Sequence, residues 1–174
     1  MKAPAFFKQN SALRQICSAA TIVLFVLVAR PAQALEGFYL GDQVGHAAYG
    51  SSSSLGFGVD LGFKTTSPVD LVISYFRVSD RGLGINMPTL SGEFHVGHAY
   101  DFDFTIGAGP GFYNYSSTII SETKFGLQFG GAVDFLVDEH FRVGLGTRYH
   151  MPFGNGYSNI WTVTMRAGYL FNTE

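Results

Sequence analysis

Residues 54–64 read Ser-Leu-Gly-Phe-Gly-Val-Asp-Leu-Gly-Phe-Lys, an alternation of large apolar residues with small or charged ones. Successive side chains of a β-strand point to opposite faces, so this stretch has one apolar face and one face of glycine and charge. The alternation predicts a β-strand. Its apolar face needs a cover, which a second protein layer provides in a soluble sheet and lipid provides in a transmembrane barrel.

Seven further stretches have related patterns, and clusters of Gly, Pro, Ser, Asn and Asp separate them. No stretch after residue 34 sustains a helical period, so we expect no helix longer than one turn. The predicted strands are 37–48, 54–64, 69–79, 89–100, 102–115, 123–137, 141–151 and 160–171.

The predicted connections are of two kinds, which alternate along the chain. Those at 65–68, 101 and 138–140 are tight, whereas those at 49–53, 80–88, 116–122 and 152–159 are longer. Tight turns at one end and longer loops at the other are typical of outer-membrane barrels.

Two strands have less regular faces, and the phase of a third slips. In the first strand, Asp42 shares the apolar phase of Phe38 and Leu40. In the third strand we expect Leu71, Ile73, Tyr75 and Arg77 to face outward, with Asp70 and Ser74 inward. In the sixth strand we expect a β-bulge at Gly130-Gly131.

Aromatic residues recur in the outward phase near the tight-turn end of nearly every strand. They are Phe38, Phe63, Tyr100, Phe102, Phe135, Phe141, Tyr169 and Phe171. Aromatic rings at one level are typical of a membrane–water interface. The sequence therefore predicts an all-β fold, a single closed antiparallel eight-stranded transmembrane β-barrel over residues 35–174.

The first 34 residues have the pattern of a secretory signal peptide. Lys2, Lys8 and Arg14 precede an apolar run over 16–29, and Ala32-Gln33-Ala34 forms a cleavage pattern, so we expect cleavage after Ala34. The run is shorter than the roughly 20 residues of a spanning helix. The remaining chain has 7 basic and 13 acidic residues, a net charge of about −6, which argues against a nucleic-acid partner.

Three motifs carry a family resemblance. They are Gly37-Phe38-Tyr39-Leu40-Gly41, Gly107-Ala108-Gly109-Pro110-Gly111-Phe112 and Met165-Arg166-Ala167-Gly168-Tyr169-Leu170-Phe171. With these, residues 35–174 resemble the small eight-stranded outer-membrane β-barrels, typified by OmpX, Ail and the barrel domain of OmpA. The last motif resembles the C-terminal strand signal that the outer-membrane assembly machinery reads, although three residues follow Phe171.

The resemblance implies a multi-pass protein of the bacterial outer membrane, in contact with outer-membrane lipid and lipopolysaccharide. We expect a structural, adhesive or surface-interaction role, with a surface or host ligand at the loops, and not a general porin. We expect no cofactor. The remaining architectural alternative is a soluble lipocalin-like binder, whose strands also alternate apolar with polar residues.

Charged residues and one histidine fall in the inward phase of the strands. They are Asp60, Lys64, Glu93, His95, Asp103, Lys124, Asp134, Arg142, Arg148 and Arg166. An eight-stranded barrel is about wide enough for its side chains to fill, so we expect these groups to form an ion-pair network in the lumen. A narrow ion path gated by Glu93 and an arginine is the alternative.

His150 raises the possibility of catalysis, because some barrels of this size are lipid-A deacylases with a histidine late in the chain and a serine two positions on. Pro152 occupies that second position here. Ser158, with Glu122 or Glu93 as the orienting carboxylate, would have to complete a triad. His46, His98 and His140 share no ligand spacing, so we expect no metal site.

Overall fold

A computed structural model describes residues 35–80, 82–118 and 121–172 of the chain. The predicted signal peptide, residues 1–34, lies outside the described residues. The strands are β1 (Leu35–Tyr49), β2 (Ser52–Thr65), β3 (Val69–Asp80), β4 (Leu83–Ala99), β5 (Phe102–Ser116), β6 (Ser121–Leu136), β7 (Phe141–Pro152) and β8 (Ile160–Asn172). None of the described segments is a helix long and apolar enough to cross a membrane.

The strands form one closed barrel in chain order, and every neighbouring pair is antiparallel. β1 pairs with β2 on one side and with β8 on the other, from Gly37↔Asn172 to Tyr49↔Ile160. The predicted closed antiparallel eight-stranded barrel is confirmed.

Burial alternates with a period of two along the strands, as β3 illustrates. Leu71, Ile73 and Tyr75 are exposed on the outside, whereas Asp70 and Ser74 are buried inside. The predicted facing of this strand is confirmed. Apolar side chains on the outer surface are widely exposed, for example Leu55 and Met165 at 65% each.

The barrel has two ends, which we name by their connections. The turn end holds the β2–β3, β4–β5 and β6–β7 connections and both ends of the described chain, and the loop end holds the other four. At the turn end, the amides of His140 and Phe141 donate to Asp138 Oδ1 over 2.7 and 2.6 Å. These hydrogen bonds lower the pKa of the Asp138 carboxyl.

The predicted contrast between tight turns and long loops is wrong for two of the four loops. β1 ends at Tyr49 and β2 begins at Ser52, so residues 50–51 alone connect them, and Gly50 has a φ of 57°. β4 begins at Leu83 rather than at residue 89, which leaves residues 81–82 between β3 and β4. The β7–β8 connection, 153–159, is the longest.

Pro88 explains the error at β4. Proline lacks an amide hydrogen and therefore suggests a strand boundary. The structure keeps Pro88 inside β4, paired with Tyr75 of β3. On the β5 side the ladder is interrupted between Asn86 and Thr89, yet the register is the same before and after.

The predicted bulge at Gly130-Gly131 is also wrong. The β6 registers with β5 and β7 run through both glycines without a shift, and Gly131 occupies an outward position in phase with Phe129 and Val133. The register shift of this region lies instead in β4, between His95 and Gly97. It places Gly97 opposite the outward Phe104.

Candidate functional site

Three arginines face two carboxylates in the middle of the lumen. Arg166 Nε lies 3.1 Å from Asp134 Oδ1, and Arg166 Nη2 lies 3.8 Å from Glu93 Oε2. Arg148 Nη2 donates to Glu93 Oε1 over 2.8 Å, and Arg142 Nη1 lies 3.7 Å from Asp134 Oδ2. We call these five residues the ion-pair cluster. Asp134 is 0% and Glu93 7% exposed, so both carboxylates depend on the arginines for charge compensation.

Arg142 is held against an aromatic ring. Its guanidinium carbon lies 3.6 Å from the centroid of the Tyr39 ring, a cation–π contact between β7 and β1. Gly62 of β2 makes room for this ring, because a Cβ at that position would lie 1.8 Å from Tyr39 Cε1. The small inward residues of the alternation thus let large side chains cross a narrow lumen.

His95 links two further carboxylates nearer the turn end. Its Nε2 lies 3.0 Å from Asp70 Oδ2 and its Nδ1 lies 2.8 Å from Asp103 Oδ2. Ionised carboxylates only accept hydrogen bonds, and an imidazole donates from both nitrogens only when it is protonated. The geometry therefore suits an imidazolium between two carboxylates.

The lumen opens at the turn end into a cavity of about 440 Å³. Lys64, Asp70, His95, His98, Asp103 and Arg142 are among its lining residues. Deeper in the barrel, the spaces beside the ion-pair cluster shrink to about 10 Å³. Asp60 lies there and accepts a 3.0 Å hydrogen bond from Gln43 Nε2. Side chains therefore fill this part of the lumen.

An apolar layer lies between the ion-pair cluster and the loop end. It consists of Ala47, Phe76, Val78, Ile85, Met87, Tyr113 and Ile160, which we call the apolar plug. Arg148 of the cluster donates to Ser74 Oγ on β3, and Phe76 and Val78 follow Ser74 toward the loop end. The plug is closely packed, since all seven side chains are buried.

Above the plug, the loop end forms a cup of about 480 Å³. Its lining residues are Tyr49, Leu83, Tyr115, Ser117, Asn155, Gly156, Tyr157 and Ser158. We call this the tyrosine cup. The Tyr115 and Tyr157 rings are 4.7 Å apart between centroids. The Tyr115 hydroxyl is buried and has no hydrogen-bond partner among the described residues.

Contacts with β6 hold Tyr157 in place. Its hydroxyl donates to Glu122, and Lys124 Nζ lies 4.8 Å from the centroid of its ring. Lys124 also pairs with Glu122. Lys124, which we expected in the lumen network, therefore lies at the loop end and not in the ion-pair cluster.

The structure does not bring the three catalytic candidates together. His150 is buried beside the plug, where its Nδ1 lies 3.3 Å from the Tyr113 hydroxyl and its Nε2 3.3 Å from Thr162 Oγ1. Glu122 contacts Lys124 and Tyr157, and Ser158 is exposed at the cup. Across residues 35–80, 82–118 and 121–172, no three His, Cys, Asp or Glu residues are placed to hold a metal ion.

The turn-end aromatic residues lie on the outer surface. Phe38 stacks on Phe171 at 4.8 Å, and Phe171 contacts Tyr169 at 4.8 Å. Phe102 and Phe135 are 5.2 Å apart. Phe63 pairs with Phe38, and Phe141 pairs with Tyr169. Tyr100 lies in the β4–β5 turn and is 93% exposed.

Two features of the lumen were not predicted from the sequence. Asp70 was placed inward but not identified as a partner of His95. The apolar plug was not expected, although Val72, Phe76 and Val78 alternate in the inward phase of β3 and are buried. The signal that could have predicted the plug is that apolar residues occupy both the inward and the outward phase of β3.

The closed antiparallel barrel, apolar outside and charged inside, has the architecture of the small eight-stranded outer-membrane β-barrels. It is similar to Neisserial surface protein A (NspA), with a TM-score of 0.64 and 18% identity over 78% of this chain and 97% of that chain. It is also similar to the N-terminal barrel domain of Pseudomonas aeruginosa OprF, with a TM-score of 0.62 and 17% identity over 76% and 97%.

A third similar structure is the outer membrane protein OprG from Pseudomonas aeruginosa, with a TM-score of 0.56 and 12% identity over 81% of this chain and 99% of that chain. At these identities the similarity establishes the fold, and at that level it confirms the resemblance found in the sequence. No protein-family model and no curated protein matches the sequence.

Removing one arginine tests the ion-pair cluster. We expect Arg166→Met to lower the free energy of unfolding by about 3–5 kcal/mol, because Asp134 and Glu93 would lose a cation in a buried site. Urea titration of the protein in lipid vesicles measures this change. Adding Asp134→Leu should restore part of the loss.

Lys124→Met is the matched control, because it removes a cation from the exposed loop end and should have little effect. Equal destabilisation by Arg166→Met and Lys124→Met would contradict the role given to the cluster.

Proposed function

We propose that this protein is an integral barrel of the bacterial outer membrane, closed to bulk flow, which acts as an envelope component through its loop-end surface. The observation that carries this proposal is the combination of an exposed apolar exterior with a filled interior. Side chains such as Leu55, Phe57 and Met165 expose more than half of their surface on the outside of the barrel. Contiguous apolar surface of this kind is covered by lipid in transmembrane barrels.

The two chain ends support export and insertion. A basic start, an apolar run and Ala32-Gln33-Ala34 suit a signal peptide cleaved after Ala34. The alternating residues of β8 that end at Phe171 suit recognition by the outer-membrane assembly machinery. Both features agree with a protein that crosses the inner membrane and folds into the outer one.

The filled lumen argues against a porin or channel role. The ion-pair cluster and the apolar plug lie in series along the barrel, and a channel would need a continuous hydrated path through both. Porins that leave such a path have 16–18 strands. An eight-stranded barrel with these inward side chains suits a structural body that carries a binding surface at one end.

The tyrosine cup is the surface best suited to an interaction. It is concave, lies in the mouth of a barrel, and combines three aromatic rings with the polar side chains of Asn155 and Ser158. Tyrosine offers a flat apolar ring together with a hydroxyl. Among residues 35–80, 82–118 and 121–172, those that line the cup are uncharged. These properties suit an uncharged, ring-bearing group such as a sugar unit of lipopolysaccharide.

Conductance tests whether the barrel is closed. In planar bilayers we expect wild-type protein and Glu93→Gln to give no discrete current steps, because the plug remains in both. A general porin serves as the positive control. Current steps in the wild type that change in Glu93→Gln would favour the narrow ion path instead.

Sugar binding tests the cup. We expect the soluble oligosaccharide released from lipopolysaccharide to perturb NMR signals of the cup residues, and Tyr115→Ala to weaken its binding at least about tenfold. Tyr169→Ala, a tyrosine of the turn end, should bind as the wild type does. A wild-type protein that shows no perturbation would remove the cup from the proposal.

A further inference from the structure

A row of polar side chains crosses the outer face of four neighbouring strands near the loop end. Arg77 of β3 is opposite Asn86 of β4. Asn86 is in turn opposite Asn114 of β5, which is opposite Thr123 of β6. We call these four residues the polar row. They face outward, because the residues that alternate with them, such as the buried Tyr113, face the lumen. Each lies within three residues of the loop end of its strand.

Hydrogen bonds run along the row in one direction. The Tyr75 hydroxyl donates to Asn86 Oδ1 over 2.7 Å, and Asn86 Nδ2 donates to Asn114 Oδ1 over 3.4 Å. Asn114 Nδ2 then donates to Thr123 Oγ1 over 2.9 Å. Each of the three oxygens accepts from its neighbour, which leaves the second amide hydrogen of each asparagine and the Thr123 hydroxyl hydrogen free to donate. The row therefore presents donors to whatever covers the barrel.

Arg77 adds a positive charge at one end of the row. Its side chain is exposed and has no hydrogen bond or ion pair with any residue that the structure describes. The outward phase of β2 to β6 includes no aspartate or glutamate within the described ranges. A guanidinium beside amide and hydroxyl donors is complementary to an anion with several oxygens, and arginine binds phosphate through two parallel hydrogen bonds.

An aromatic layer lies directly below the row. Phe112 and Phe125 are two residues nearer the turn end than Asn114 and Thr123, and their rings are 5.6 Å apart. Both are exposed on the outer wall. Aromatic rings of this kind mark the boundary between acyl chains and headgroups. The row therefore lies at the level of the lipid headgroups.

The length of the row indicates the size of the group that fits it. Four adjacent strands are separated by three spacings of about 4.8 Å, so the row extends over about 14 Å. This length exceeds that of one phosphate group. It suits a headgroup in which a phosphate is attached to a sugar, whose hydroxyls also accept hydrogen bonds.

We propose that the polar row binds the phosphorylated sugar headgroup of a lipid in the leaflet that meets the loop end. Arg77 and Asn86 bind phosphate oxygens, and Asn114 and Thr123 donate to the sugar. The acyl chains of the same molecule cover the apolar wall below, which favours a lipid over a free phosphate ion. This proposal rests on the membrane insertion proposed above. Its site lies on the outer wall, whereas the tyrosine cup lies inside the mouth of the barrel.

The side-chain amide NMR signals of Asn86 and Asn114 test the proposal. We expect lipid A, added to phosphatidylcholine nanodiscs that contain the full barrel, to shift both signals. Arg77→Gln should raise the apparent Kd for lipid A at least about tenfold, because a charge-assisted hydrogen bond is lost. Arg77→Lys, which keeps the charge, should recover part of that loss. The matched control is His46→Gln, an exposed position near the loop end of β1, which should bind as the wild type does.

Three results would overturn the polar row alone. One is a dephosphorylated lipid A that shifts the two amide signals as strongly as the intact lipid. The second is an Arg77→Gln protein that binds like the wild type, and the third is inorganic phosphate that produces the same shifts without lipid A. Tyr115→Ala, which tests the cup, should leave these shifts unchanged. A barrel that does not enter nanodiscs would contradict the proposed function and the polar row together.

Discussion

Closure of the sheet by the β1–β8 pairing is the constraint on which the rest of the structure depends. Hydrocarbon cannot satisfy backbone N–H and C=O groups, so a sheet that crosses a membrane must have no free edge. Pairing from Gly37↔Asn172 to Tyr49↔Ile160 removes the last edge. Closure with eight strands also fixes a lumen narrow enough for side chains from opposite walls to meet.

The lumen then follows from the residues that the alternation directs inward. Charged groups there must compensate one another across the barrel, which Arg148 and Arg166 of β7 and β8 achieve with Glu93 of β4. Nearer the loop end the inward residues are apolar and pack as the plug. The plug also forms the floor of the tyrosine cup. One narrow cross-section thus accounts for both the close packing of the inward side chains and the cup above them.

Much of the fold was predictable because a period of two is a direct consequence of strand geometry. It identified eight strands, the outward aromatic residues and the facing of β3. The period of two was less informative at residues that are compatible both with a regular strand and with an interruption of it. Pro88 suggested a boundary but lies within β4, and Gly130-Gly131 suggested a bulge although Gly131 simply fills an outward position. The plug and the location of Lys124 depend on how far each inward residue lies along the barrel, which alternation does not specify.

The most direct test of lipid cover is a single-cysteine spin-label scan of residues 55–64 in lipid bilayers. We expect collisions with dissolved oxygen to be high at Leu55, Phe57, Val59 and Leu61 and low at Gly56, Gly58, Asp60 and Gly62. A water-soluble nickel reagent should fail to reach the first group at mid-strand. Ready access of the nickel reagent to Val59 and Leu61 would contradict a lipid-covered exterior.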